Sequence, residues 1–144
     1  MDAFPKSPFE EVSGLRYFAR MLDKIRLYAG GKLHSDYHPN MGKSRTMDGL
    51  ICNFLRINYD DLRQRALEGG TDEEILQWCY QKGRPLNEGD LLVWNAFVKK
   101  FGWNDFATPR LERRKRELGI SDRTDIQTLG ELFDYEEGRR HRDE

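Results

Sequence analysis

Apolar residues recur at alternating intervals of three and four along much of this chain, and this spacing most restricts its fold. The clearest stripe is formed by Leu15, Phe18, Leu22, Ile25 and Ala29. Such spacing places side chains on one face of an α-helix, whereas a half-buried strand needs strict alternation. No sustained alternation with a period of two occurs elsewhere, so the sequence predicts an all-α fold.

Capping residues and glycines divide the chain into helices. Ser13 is predicted to cap the first helix, and Gly30 and Gly31 to end it. A second helix is expected over residues 47–57. The later helices are predicted to begin at Thr46, at Asn58 or Asp60, at Thr71 with Glu74, at Asn87, at Thr108 with Pro109 in the first turn, and at Thr124 with Gln127. These signals predict a single compact bundle of about six or seven mostly short helices, with neighbours mostly antiparallel.

The domain organisation follows from length and charge. A chain of 144 residues suits one domain that can bury a core without metals or disulfides. The predicted helical domain covers residues 1–135, and the charged run 136–144 is expected to form a flexible tail. The segment from Leu91 to Phe101 is apolar over more than one face, so we expect this fifth helix to be central.

Composition restricts the function classes. The chain has 24 Lys and Arg against 25 Asp and Glu, a net charge of −1, which argues against a general nucleic-acid or membrane-surface protein. There is no apolar run of about 20 residues that a membrane span needs, and no apolar stretch typical of a secretory signal. Cys52 and Cys79 are far apart and lie in helical patterns, which predicts buried, reduced thiols in a cytoplasmic protein.

Residues 32–46 separate two predicted helices and lack an apolar pattern. Connections this long are uncommon in a compact domain unless they are functional. The backbone at Asn40 to Gly42 can turn successive amides in one direction, and the helix after Thr46 carries partial positive charge at its start. Lys43 and Arg45 add two cations. The sequence therefore predicts an anion site in this loop.

The polar side of the first helix is expected to contribute to the same site. The predicted ligand-binding residues are Arg20, Lys24, Tyr37, Asn40, Lys43 and Arg45. The expected ligand is a small anionic molecule, a protein partner being the alternative, and no cofactor is predicted. The other interpretation makes Thr46 an ordinary helix cap and leaves the cations in solvent.

The loop contains two further motifs. Gly42-Lys43-Ser44 is not a nucleotide-binding P-loop, because the required earlier glycine is replaced by Tyr37 and no strand precedes it. His34 and His38 have the spacing of metal ligands on a helix, but the following proline predicts a loop, and a fourth ligand is missing. The alternative is acid–base chemistry by either histidine, with Asp36 as the orienting group.

A basic stretch near the end of the chain offers a third possibility. Residues 110–116 contain five cations, Arg110, Arg113, Arg114, Lys115 and Arg116, on one predicted helix. Such a face can hold phosphates through charge. Glu112 and Glu117 interrupt it, which favours a solvated helix face over nucleic-acid binding.

Several short motifs together resemble a known family. They include Gly14-Leu15, Arg20-Met21, Asp23-Lys24, Gly31-Lys32-Leu33, Tyr37, Phe54-Leu55, Asp60-Asp61, the run from Thr71 to Trp78, Arg123-Thr124-Asp125-Ile126 and Asp134-Tyr135. The chain resembles, over nearly its whole length, the bacterial family catalogued as domain of unknown function five-zero-six-nine. The resemblance implies a single helical domain and carries no activity or catalytic residues.

The leading hypothesis is thus a small cytoplasmic helical protein that binds a ligand or partner through an anion-accepting loop and does not catalyse a reaction. One alternative is an enzyme that uses the His/Asp loop on an anionic substrate. The other is a nucleic-acid-binding protein that uses the helix at residues 110–116.

Overall fold

A computed structural model describes residues 3–139 of the chain and shows a helical fold with one short β-hairpin. The strands are β1 (Glu11–Val12) and β2 (Leu15–Arg16), and a 3-10 helix covers Ser35–Asn40. The α-helices are α1 (Phe18–Ala29), α2 (Met47–Leu55), α3 (Tyr59–Leu67), α4 (Asp72–Lys82), α5 (Glu88–Lys100), α6 (Thr108–Glu117) and α7 (Leu129–Glu136). The predicted all-α class is confirmed.

Local caps form at most of the predicted helix starts. Thr46 accepts a hydrogen bond from the amide of Gly49 at the start of α2, and Asn58 caps α3. Thr71 and Glu74 form the reciprocal capping box of α4. Each of these interactions joins residues three positions apart, so short-range sequence patterns contain them.

The first and last helices begin later than predicted. Ser13 does not cap a helix, because Ser13 and Gly14 form the hairpin turn with positive φ angles of 48° and 85°. Asn95 of α5 holds this hairpin, accepting from the Arg16 amide and donating to the Gly14 carbonyl. The predicted cap at Thr124 is also wrong, since Thr128 caps α7.

The central helix is α1 and not the predicted fifth helix. It buries residues on several sides, from Phe18 and Ala19 to Met21, Leu22 and Ile25. It packs against α3 and β1. By contrast, α5 buries Trp94 and Val98, while Leu92 and Val93 on its other side are exposed.

The ordered domain extends beyond residue 135. Glu136 ends α7, and Glu137 is buried. Residues 136 and 137 of the predicted tail thus belong to the folded structure, and residues 140–144 of that tail lie outside the described part. Within residues 3–139, no helix combines the length and hydropathy needed to cross a bilayer.

Candidate ligand cleft and the buried network behind it

A buried ion pair connects α1 with the end of the described chain. Both terminal nitrogens of Arg20 donate to the carboxylate of Glu137, at 2.8 and 2.7 Å. The guanidinium lies 4.8 Å from the centre of the Phe133 ring and also donates to the Lys6 carbonyl. Arg20 is only 2% exposed, so a charge expected on the polar helix face lies in the interior.

The same carboxylate holds the loop. Tyr37, in the 3-10 helix, donates its hydroxyl to Glu137 at 2.7 Å, and Arg139, two residues after Glu137, also donates to it. Burial alone would raise the pKa of Glu137, but hydrogen bonds and charge from Arg20, together with Tyr37 and Arg139, keep that pKa below its ordinary value. Glu137 therefore remains ionised and ties three separate parts of the chain together.

A second buried cluster surrounds Asp48 at the start of α2. Its carboxylate pairs with the Lys24 ammonium at 2.8 Å and accepts from the Tyr17 hydroxyl at 2.5 Å. Burial and the Asp48 charge raise the pKa of Tyr17 well above its ordinary value, so the phenol stays protonated and donates. The other Asp48 oxygen accepts from the backbone amide of Gly42 at 3.1 Å. Asp48 thus neutralises Lys24 and fastens the loop to α2.

The six predicted ligand-binding residues therefore do not line one common site. Arg20, Lys24 and Tyr37 belong to the two buried clusters and already have protein partners. The carbonyl of Asn40 accepts from the Thr46 hydroxyl at 3.3 Å. The remaining two are exposed and face different surroundings: Lys43 lines a cleft, whereas Arg45 lies over the ring of Phe106.

The cleft lies between the loop and the start of α3 and has a volume of about 640 Å³. Its lining residues are Tyr28, His38, Met41, Gly42, Lys43, Ser44, Gly49, Cys52, Asn53, Ile57, Asn58, Tyr59, Asp60 and Arg63. Lys43 and Arg63 supply positive charge, and Asp60 lies 3.6 Å from Arg63. The volume suits a small organic molecule.

Tyr59 forms the wall of the cleft against the loop. Its ring packs so closely on Gly42 that a Cβ at that glycine would lie 2.5 Å from a ring carbon. Its hydroxyl is removed from solvent and has no hydrogen-bond partner among the described residues. A buried hydroxyl without a partner costs about 1–3 kcal/mol, and a new hydrogen bond to the Tyr59 hydroxyl would offset that cost.

The histidines are not arranged as the enzyme alternative requires. Nδ1 of His34 accepts from the Asp36 amide, and the Asp36 carboxylate lies 3.6 Å away, with both side chains largely exposed. His38 lines the cleft, but its Nε2 donates to the Leu33 carbonyl at 3.0 Å. Asp36 is thus placed beside the histidine that does not line the cleft. No group of three or more potential His, Cys, Asp or Glu metal ligands occurs in residues 3–139.

The cysteines are buried and unpaired, as predicted. Burial raises the pKa of Cys52 and of Cys79 to about 12. Although Cys52 lines the cleft, a thiol with this pKa is not a reactive nucleophile at neutral pH.

The two central cations of the basic stretch on α6, Arg114 and Lys115, form hydrogen bonds within the protein. Arg114 pairs with Glu117 and Glu136, at 3.0 and 2.9 Å. Lys115 donates to two backbone carbonyls, those of Arg123 and Ile126. Arg110 and Arg113 lie on the same helix outside these pairs.

Sequence reasoning missed Asp48 and Glu137, the two anions that organise the loop. Asp48 carried a recognisable signal, since it stands among the apolar residues at the start of α2. Glu137 carried no such signal, because it lies in a run of mostly charged residues.

Comparison with known proteins agrees with the resemblance seen in the sequence. No match to a curated protein is found. The sequence model of one family, described as domain of unknown function DUF5069, matches residues 2–139. Because this match covers nearly the whole chain, the protein belongs to the DUF5069 family.

Proposed function

We propose that the protein is a non-catalytic binding domain that takes up a small anionic ligand in the cleft between the loop and α3. The observation that supports this proposal is a cleft that contains Lys43 and Arg63 and is also lined by Tyr59, whose buried hydroxyl has no hydrogen-bond partner among the described residues. Two cations and a free donor together suit a phosphate or carboxylate group.

The loop that forms the cleft wall is held before any ligand arrives. Tyr37 is bonded to Glu137, and the Gly42 amide to Asp48. Both attachments end in buried carboxylates, so the loop does not have to be ordered by the ligand. Preorganisation of this kind reduces the entropic cost of binding.

Binding without chemistry accounts best for the cleft residues. The thiol that lines the cleft, that of Cys52, has a pKa raised by burial to about 12. The histidine that lines it, His38, donates a hydrogen bond from Nε2 to the Leu33 carbonyl. Residence in the cytoplasm is part of the same proposal, because two unpaired thiols suit a reducing compartment.

A thermal-shift experiment with inorganic phosphate, pyrophosphate and citrate tests the proposal. We expect at least one anion to raise the Tm of the wild-type protein, and Lys43→Gln to abolish this rise. Tyr59→Phe removes only the unpartnered hydroxyl, so it should leave the unliganded Tm unchanged or higher while reducing the rise.

Arg45→Gln provides the matched control, since it removes one positive charge from the same loop outside the cleft. It should retain the Tm rise. Equal loss in Arg45→Gln and Lys43→Gln, or no response to any of the three anions, would contradict the proposed cleft.

A further inference from the structure

A second basic surface lies on the other side of the loop, where Arg45 meets α6. The Arg110 guanidinium donates to the backbone carbonyl of Arg45 at 3.2 Å. The Arg45 guanidinium lies 4.5 Å from the centre of the Phe106 ring. With Arg113 one helical turn beyond Arg110, these side chains form what we name the arginine cluster: Arg45, Arg110 and Arg113.

The cluster arginines form no direct ion pair within the described chain. None of the three arginines has an ion pair with a carboxylate of residues 3–139, in contrast to Arg114 on the same helix. Partial burial and the charges of Arg113 and Arg45 lower the pKa of Arg110 from its ordinary value. The like charges are therefore close enough to repel one another.

One nearby carboxylate, that of Asp105, partly offsets the positive charge at Arg110. The carboxylate of Asp105 accepts from the backbone amides of Gly102 and Ala107, so it serves the turn before α6. Arg110 lies in the first turn of α6, where the helix itself contributes partial positive charge. A site that gathers cations without direct ion pairs at a helix start is electrostatically suited to phosphate groups.

Exposed aromatic rings accompany the arginines. Phe106 is 44% exposed beneath Arg45, and Trp103, in the same turn between α5 and α6, is 51% exposed. None of the cluster arginines or these two rings lines the ligand cleft. The surface is open, which suits a strand lying across it better than a small molecule enclosed in a pocket.

We propose that the arginine cluster, with Phe106 and Trp103, binds a segment of single-stranded nucleic acid through its phosphates and unstacked bases. The arginines hold the backbone by charge, the exposed Trp103 ring receives a base by stacking, and Phe106 supports Arg45 from beneath. The overall net charge of −1 does not oppose this local interaction, because neighbouring surface charges beyond about 10 Å are screened in 0.1 M salt.

Fluorescence polarisation with a labelled oligouridylate of about 10 nucleotides tests the proposal on the full chain. Three neutralised phosphates predict that the logarithm of the binding constant falls with log salt with a slope of about −2 for a single strand. Arg110→Gln and Arg113→Gln should each reduce that slope by about 0.7. Trp103→Ala should weaken binding without changing the slope, because stacking does not release counterions.

Lys82→Gln is the matched control, since it removes an exposed cation at the end of α4 and should leave the slope unchanged. The proposal is overturned by the absence of binding at about 20 mM salt, where charges are screened much less than at 0.1 M. It is also overturned by binding that survives Arg110→Gln with Arg113→Gln, or by tripolyphosphate binding as tightly as the oligonucleotide. Arg45→Lys keeps the charge and should preserve the slope, which separates a charge effect from damage to the fold.

Discussion

Arg20 and Glu137 form a two-point ion pair across 117 positions of sequence, with both hydrogen bonds shorter than 2.9 Å. The pair lies behind the loop at residues 32–46, and Tyr37 joins it from that loop. The loop that forms the cleft wall is therefore held in place by the contact between α1 and the segment after α7.

Removing one partner of this pair is expected to be costly. Arg20→Met leaves the Glu137 carboxylate buried without its main cation, and breaking such a pair costs about 3–5 kcal/mol. Chemical denaturation should show this loss in the free energy of unfolding. Arg63→Met is the control: its ion pair with Asp60 is exposed, so its loss should cost at most about 1 kcal/mol. Equal costs for the two variants would contradict a structural role for the buried pair.

Stability is expected to fall in acid because of Glu137. Its pKa is lower in the folded protein than in the unfolded chain, so the unfolded state binds the proton more readily. The resulting stabilisation is present above the unfolded pKa of about 4.3 and is lost as the pH falls through that value to the lower folded pKa. Unfolding measured between pH 7 and pH 3 should therefore depend less steeply on pH in Glu137→Gln than in the wild type. Parallel curves would show that Glu137 does not contribute.

Gly42 and Gly31 offer a matched test of the contact between the loop and Tyr59. Both have a φ of 70°, but a Cβ at Gly31 meets nothing within 4 Å, whereas a Cβ at Gly42 meets the Tyr59 ring at 2.5 Å. Gly31→Ala should cost about 1–2 kcal/mol from the backbone conformation alone. Gly42→Ala should cost clearly more, as measured by urea denaturation, because the ring or the loop must also move. Similar costs would mean that the close packing is not maintained in solution.

The two valines of α5 test which face of that helix is in the core. Val98 is 1% exposed and Val93 is 67% exposed. Val98→Ala should cost about 2 kcal/mol through lost burial and the resulting cavity. Val93→Ala should change the free energy of unfolding by less than about 0.5 kcal/mol. A large loss at Val93 would indicate that this exposed face is covered in solution.

The cysteines are expected to be unreactive in the native protein. Burial raises the pKa of both Cys52 and Cys79 to about 12, and the thiolate is the reacting form. A thiol reagent such as a maleimide should modify neither residue at pH 7.5, a value near which an ordinary thiol with a pKa of about 8.5 reacts readily. Both should be modified after denaturation, and mass spectrometry would count the labels. Rapid labelling of Cys52 alone would show that the cleft opens further than its walls suggest.

The helices and most of their caps were predictable because the interactions that define them are short-range. The capping box of Thr71 and Glu74 spans three residues, and so does the Asn58 cap. The start of α1 was mispredicted because Asn95 and Trp94, on a distant helix, hold the preceding residues as a hairpin. Tertiary hydrogen bonds there outweigh the helical spacing of Leu15 and Phe18.

The candidate site was predictable only as a segment. Unusual length and polarity marked residues 32–46, and one of its cations, Lys43, does line a cleft. Arg20 and Lys24 were expected to face a ligand, because sequence spacing assigns a charged residue to the polar side of a helix. Such a charge can be buried only if a carboxylate pairs with it in the folded chain. The sequence around Arg20 and Lys24 does not indicate that Glu137 and Asp48 are these partners.

The sequence by itself determined that the chain is helical, where most of its helices start, and which loop is exceptional, since these properties depend on residues a few positions apart. Only the tertiary structure decided which charges are buried and which are left exposed. A buried cation needs a carboxylate partner in the folded chain. Glu137 is that partner for Arg20. Within the described chain, no carboxylate forms an ion pair with Arg45, Arg110 or Arg113, and these three stay near the surface.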